Sequence, residues 1–202
     1  AYAKRKINEL GIDNVELIQM DILEVALLET KFDIILCSGV LHHMEDPSKG
    51  LKVLLGVLKK TGFLKLGLYS ELARQDIIKV RNYIASTKLQ ANEDSIRDFR
   101  ERVMSGELGD LRTVKESSDF YSLSQCRDLC FHAHEYRFTI NQLQEIIKSN
   151  ELEFLGFSLP KQIKSIYEQY FPEDKKQTNL QNWEEFENKH PNTFAGLYQF
   201  WV

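Results

Sequence analysis

Phe32-Asp-Ile-Ile-Leu-Cys-Ser-Gly-Val-Leu-His-His-Met-Glu-Asp-Pro47 is the stretch on which the reading of this sequence turns. Phe32 to Ser38 is an apolar run broken once by Asp33. That pattern predicts a strand buried on both faces. Asp46-Pro47 supplies an N-cap followed by proline at the first helical position. The helix it opens runs to about Leu58, with Leu51, Leu54, Leu55 and Leu58 on one face. Lys60-Thr61-Gly62 then turns the chain into a strand over Phe63 to Tyr69.

Upstream, Tyr2 to Leu10 reads as a helix ending at Gly11, a residue suited to the left-handed C′ position. Val15 to Met20 reads as a strand that delivers Asp21 at its carboxyl end, and Leu23 to Leu28 as a short helix or turn. Strands alternating with helices through short connections give right-handed crossovers and a parallel, doubly wound α/β sheet. Such sheets bind ligands beyond the carboxyl ends of their strands. Asp21, Ser38 to His43 and Tyr69 to Arg74 all fall at that edge.

Residues 71–150 read as helical. Ile77, Val80 and Ile84 recur at helix spacing, as do Ile96, Phe99 and Val103. Ser122 with Gln125, and Thr139 with Gln142, have the pattern of capping boxes. Strand character returns over Leu152 to Leu159 and again over Leu197 to Val202. Helices are expected over Ile163 to Phe171 and Trp183 to Lys189.

Composition bounds the function. The chain has 202 residues, 43% hydrophobic and 28% charged, which is ordinary for a globular domain and excludes a disordered or collagenous chain. No run approaches the roughly 20 apolar residues of a spanning helix, so no membrane role is expected. Net charge is −4, near balance in every third of the chain, which argues against nucleic acid as a partner. Cys37, Cys126 and Cys130 are an odd number with no further cysteine to complete a zinc set, so no metal is expected. A reduced, cytoplasmic chain is the simplest reading.

The run from Phe32 to Pro47, with its Val40-Leu41-His42-His43 core, resembles the class I S-adenosylmethionine-dependent methyltransferases. Their fourth strand and following loop have this wording, and an acid-bearing strand end such as Gln19-Met20-Asp21-Ile22 lies upstream of it. Leu58 to Gly62 matches the turn into their fifth strand, and the late strand pair matches their antiparallel sixth and seventh. Leu68-Tyr-Ser-Glu-Leu-Ala-Arg-Gln75, Arg137-Phe-Thr139 and Thr193 to Trp201 are similar to methyltransferase domains attached to tetratricopeptide repeats. Two features depart from the pattern. None of the ten glycines forms a Gly-x-Gly, so the family's cofactor loop is absent, and Lys60-Thr61-Gly62 replaces the usual Pro-Gly-Gly.

The resemblance implies a Rossmann-like fold, incomplete at the N-terminus, with a helical insertion. Residues 1–70 would be a cofactor-binding core without its first strands, 71–150 a lid that selects the acceptor, and 151–202 the C-terminal strand pair and helices. It implies S-adenosyl-L-methionine as cofactor and methyl transfer to a small-molecule or protein acceptor. The alternatives are a nicotinamide-dependent dehydrogenase on a similar sheet and a non-catalytic interaction domain. Asp21 would accept from the adenine amino group, with the Ile22 N–H beside it; capping a helix is the alternative for Asp21. Cys37, Ser38 and Val40 would line the cofactor, the Cys37 thiol being a small buried group. His42 would face the acceptor as general base, or else pack against or cap the Asp46-Pro47 helix start. Tyr69 and Arg74 would contact the acceptor, the alternative for Arg74 being a surface pair with Glu71. His132, His134, Glu135 and Arg137 are expected to be solvated or structural, and Trp183, Phe186, Tyr198, Phe200 and Trp201 to pack the sheet. Residues 1–202 alone are expected to bind the cofactor at least about 100-fold more weakly than a chain extended upstream by roughly 40–60 residues, the length of two strand–loop–helix units.

Overall fold

Leu58–Leu68, eleven residues, is the spine of the sheet. The computed structural model describes residues 2–132 and 135–202. The helices are α1 (Tyr2–Glu9), α2 (Pro47–Val57), α3 (Gln75–Thr87), α4 (Glu93–Ser105), α5 (Arg112–Glu116), α6 (Leu123–Phe131), α7 (Ile140–Ser149), α8 (Lys161–Tyr170) and α9 (Leu180–Lys189). The strands are β1 (Phe32–Ser38), β2 (Leu58–Leu68), β3 (Gly156–Phe157) and β4 (Tyr198–Trp201), in the order β1-β2-β4-β3. β1 lies parallel to β2, joined through α2, with Ile34 opposite Phe63 and Ser38 opposite Gly67. β4 runs antiparallel to β2, Leu68 facing Tyr198, and β3 antiparallel to β4, Gly156 facing Trp201. The Rossmann-like α/β architecture and the antiparallel C-terminal pair are as expected.

Asp46 begins α2 as expected. Its Oδ1 accepts from the Ser48 N–H at 3.0 Å and the Ser48 hydroxyl at 2.6 Å, and Pro47 occupies the first helical position. Thr139 and Gln142 close a reciprocal capping box at the start of α7. Ser122 caps α6 by position only: its side chain makes no cap bond and instead meets Ser124 Oγ at 3.1 Å.

Several sequence expectations need correction. Val15–Met20 forms no strand; Val15, Leu17 and Ile18 are exposed. An apolar run becomes a strand only by pairing, and among the described residues β1 has a ladder partner on one side alone. β1 is accordingly not buried on both faces: Leu36 is 69% exposed and Ile34 57%, while Cys37 points inward. Lys60-Thr61-Gly62 does not turn the chain but lies within β2, which starts at Leu58 opposite Phe32 across a register shift. The strand expected over Leu152–Leu159 contracts to β3, extended by backbone bonds from Leu155 N–H to Trp201 C=O and Ser158 N–H to Gln199 C=O.

Two hydrophobic cores form among the described residues. One joins α2, the sheet and α7 to α9 through Leu51, Leu54, Leu64, Leu66, Leu143, Tyr167, Trp183 and Phe200. Trp183 stacks on Tyr167 at 3.7 Å, so the late aromatics pack as expected. The other lies within the helical segment after β2 and gathers Ile77, Val80, Ile96, Phe99, Val103, Phe120 and Cys130.

Candidate functional site

The carboxyl ends of the parallel pair β1 and β2 bring Ser38 and Tyr69 to one edge. Here the two backbones come close: the Gly39 N–H donates to the Gly67 carbonyl at 3.2 Å. A Cβ on Gly67 would collide with the Ser38 side chain, so glycine is what lets Ser38 sit there. Gly39 takes φ +77°, a left-handed turn that releases the chain from β1 into open space. Val40 follows, exposed, and then the short 3₁₀ turn Leu41–His43.

His42 is completely buried. Its ring stacks on Tyr69 at 3.7 Å and meets His43 edge-on at 4.4 Å. The Arg74 guanidinium covers the other part of the column, 3.6 Å from the Tyr69 ring centroid. Burial, then the charge of His43 and Arg74, pulls the His42 pKa down to about 3. This ring is neutral at physiological pH and a poor proton acceptor. Both its nitrogens lack a hydrogen-bond partner among the described residues. In this structure His42 is thus enclosed and does not open onto solvent. It packs instead, on Tyr69 and His43, and the N-terminus of α2 is capped by Asp46.

Arg74 is neither a surface partner of Glu71 nor open to a ligand. It is 6% exposed, and its Nε and Nη2 donate to Glu135 at 3.1 and 2.7 Å. Burial raises the Glu135 carboxyl's pKa, but the Arg74 hydrogen bond and the charges of Arg74 and Arg81 outweigh it and hold the value down. Arg137 Nη1 lies 3.3 Å from Glu135 Oε1, and Arg81 Nη1 4.0 Å from Oε2. His132 approaches His43 at 4.1 Å between ring centroids; His134 lies outside the described residues. The segment carrying Glu135 is laced to the sheet edge by main-chain bonds. Tyr136 N–H donates to the His42 carbonyl at 2.8 Å, Phe138 N–H to the Tyr69 carbonyl at 2.8 Å, and Glu71 N–H to the Phe138 carbonyl at 2.9 Å.

Asp21 caps the 3₁₀ turn Ile22–Leu28, its Oδ1 accepting from the Leu23 N–H at 2.8 Å. The capping alternative thus holds for one of its oxygens. Ile22 packs against the sheet core. Cys37 is a buried free thiol whose pKa burial pushes up, in keeping with a small packing group.

Two groupings escaped the sequence reading. Glu135 and Arg137 were visible as a crowded polar stretch, but their junction with Arg74, 61 residues away, was not. The second is Glu187 on α9, buried, which accepts from Ser70 Oγ and Tyr198 Oη at 2.6 Å each. Ser70 in turn accepts from the Ala73 N–H at 3.0 Å, which fixes the turn after Tyr69.

A family model described as a methyltransferase domain matches residues 1–151. The chain belongs to that family. This methyltransferase domain is 32% identical over 170 residues to an uncharacterized protein of Synechococcus sp., covering 78% of the chain but 40% of the relative. Two solved structures of PKMT2 from Rickettsia typhi, one in complex with AdoHcy, share its fold. They have TM-scores of 0.69 and 0.70 at 18% identity, and the match covers 98% of this chain and 40–41% of theirs. The domain thus spans about two fifths of the length of these proteins. Among the described residues no helix is long and apolar enough to cross a membrane.

Proposed function

We propose that this domain takes part in S-adenosyl-L-methionine-dependent methyl transfer to a small-molecule or protein acceptor, with the cofactor at the carboxyl edge of β1 and β2. The family match carries this reading, and the AdoHcy complex of a protein with the same fold supports it. The residues present suit an adenosine. Gly39 leaves the backbone after β1 bordering open space, and Val40 offers an exposed apolar surface. Asp21 keeps one carboxylate oxygen beyond its capping bond to accept from an amino group, beside the Ile22 N–H. Cys37 and Ser38 contribute backbone at the strand end.

When bound, the cofactor supplies a sulfonium methyl, already a good electrophile. The chain's own residues orient rather than activate. Aligning two reactants in a dry pocket can supply roughly 7–11 kcal/mol. Tyr69 is suited to that positioning, since His42 and Arg74 clamp its two sides.

Titrating the full-length protein that carries this domain with S-adenosylhomocysteine and, separately, with NAD tests the reading. Binding of the first alone is expected. Binding of NAD alone would indicate a dehydrogenase, and binding of neither an interaction domain. Asp21→Asn keeps a competent cap but removes the carboxylate. It should weaken S-adenosylhomocysteine by about 1.5–3 kcal/mol, the value of a charge-assisted hydrogen bond. An unchanged affinity by calorimetry sinks the adenine role.

A further inference from the structure

We infer that the acceptor of this domain carries an anionic oxygen group, a carboxylate or a phosphate, received by Arg81 and Arg137 beside the Arg74–Glu135 pair. The assignment of that group to an acceptor rests on the methyl-transfer reading; the charge argument stands without it.

Three guanidinium groups converge on one carboxylate. The Glu135 side chain is wholly buried, and those of Arg74, Arg81 and Arg137 are 7%, 19% and 26% exposed. Arg74 engages both oxygens of the carboxylate in the bidentate manner, and Arg137 Nη1 also donates to Oε1 at 3.3 Å. That leaves Arg81 and Arg137 sharing what remains. Arg81 Nη2 donates to the His132 carbonyl at 2.7 Å, but Arg81 Nη1 and Arg137 Nε, both shielded from solvent, have no hydrogen-bond partner among the described residues. The other charged or titratable groups facing this cluster do not restore balance. His42 is neutral, and His43 and His132 add no negative charge. Asp119 is exposed and acts on Tyr69 from the helical side.

Holding unbalanced guanidinium charge away from water is costly, and apolar residues of the same size would serve folding better. A cluster that lowers stability at a ligand edge points to a ligand that completes it. Arginine forks fit carboxylate and phosphate oxygens in particular. The position agrees: the cluster adjoins Tyr69, one residue beyond the end of β2, where the segment 135–138 crosses the sheet edge. An anion there also offsets the positive sulfonium that the methyl donor brings to the same edge.

The test follows the arginine side-chain N–H signals of the protein by NMR while inorganic phosphate, or acetate, is added at constant ionic strength. Saturable shifts of the Arg81 and Arg137 signals are expected. Arg81→Met should weaken phosphate by about 10-fold or more, the loss of a hydrogen bond to a charged group, and Arg137→Lys, which keeps the charge but loses the fork, should weaken it less. Glu135→Gln removes the competing internal carboxylate and should tighten phosphate. Shifts that never saturate, or equal affinity in Arg81→Met, overturn the proposal, as does weaker binding in a folded Glu135→Gln. A final arm adds S-adenosylhomocysteine. Simultaneous binding of both ligands supports an anionic acceptor; mutual exclusion overturns it and gives the seat to the cofactor's own carboxylate. Phosphate binding without S-adenosylhomocysteine binding would instead remove the methyl-transfer reading and leave the anion seat standing.

Discussion

His42 sits in a place where an apolar ring would serve the fold as well. Both nitrogens are buried and without a hydrogen-bond partner among the described residues, and an unsatisfied buried polar group costs about 1–3 kcal/mol. His42→Phe should therefore match or exceed the wild type in stability. The gain should grow in acid. The folded-state pKa, about 3, lies below the ordinary 6.5, so the unfolded chain binds the extra proton between those values. Stability is then lost as pH falls from 6.5, by about 1.4 kcal/mol per unit for one fully differential proton. Urea unfolding at pH 7 and pH 5 measures both effects; a phenylalanine variant less stable at both would show that the imidazole has a partner. Glu187 works in the opposite sense. Burial raises its pKa above the usual 4.5 against the donated bonds of Ser70 and Tyr198. The folded state holds the extra proton between 4.5 and that higher value, so this group's contribution falls as pH rises through the window. Glu187→Gln should flatten that descent, and an unchanged slope in pH-dependent unfolding would contradict it.

Elements differed in how far the sequence announced them. Local signals read well. Asp46-Pro47 opened α2, Thr139 with Gln142 closed a capping box, and the i,i+3/i+4 spacing of Ile77, Val80 and Ile84 became the buried face of α3. Readings that needed a partner fared worse. Val15–Met20 has strand composition but no ladder, and Leu36 lies in a run read as buried on both faces yet faces water. Arg74 and Glu135 could not be matched from spacing because their contact depends on where a long helical segment returns to the sheet. Gly67 is a case between these. Its need for glycine is invisible in the sequence and plain in the pairing of β1 with β2, where Ser38 fills the space a Cβ would take. Gly67→Ala should cost about 1–3 kcal/mol by overpacking. Ser38→Gly in the same chain should return part of that loss. Equal stabilities of the single and double variants in thermal unfolding would mean that the strands shift apart instead.

At the scale of the whole molecule, the two cores are joined through few groups. The helices between Gln75 and Phe131 enclose Phe99, Phe120, Val103 and Cys130 without help from the sheet. They meet the sheet edge through the Tyr69–Arg74–Glu135 column, the Arg81 bond to His132 and the paired crossings at Ser70 and Phe138. Cooperative units of a protein tend to follow such boundaries. The helical segment should then open as a unit while β2 and β4, which share one core with α7 and α9, stay closed. Phe99 is the clearest probe, being fully buried and in edge contact with Phe120 and Phe131. Phe99→Ala should destabilise by about 3–5 kcal/mol, and the loss should fall on the amides of α3, α4 and α6. Amides of Leu64, Leu66 and Phe200 should keep their protection in native-state hydrogen exchange. If their protection drops by the same free energy, the two cores unfold together, and the polar column at the sheet edge couples them far more strongly than its few contacts suggest.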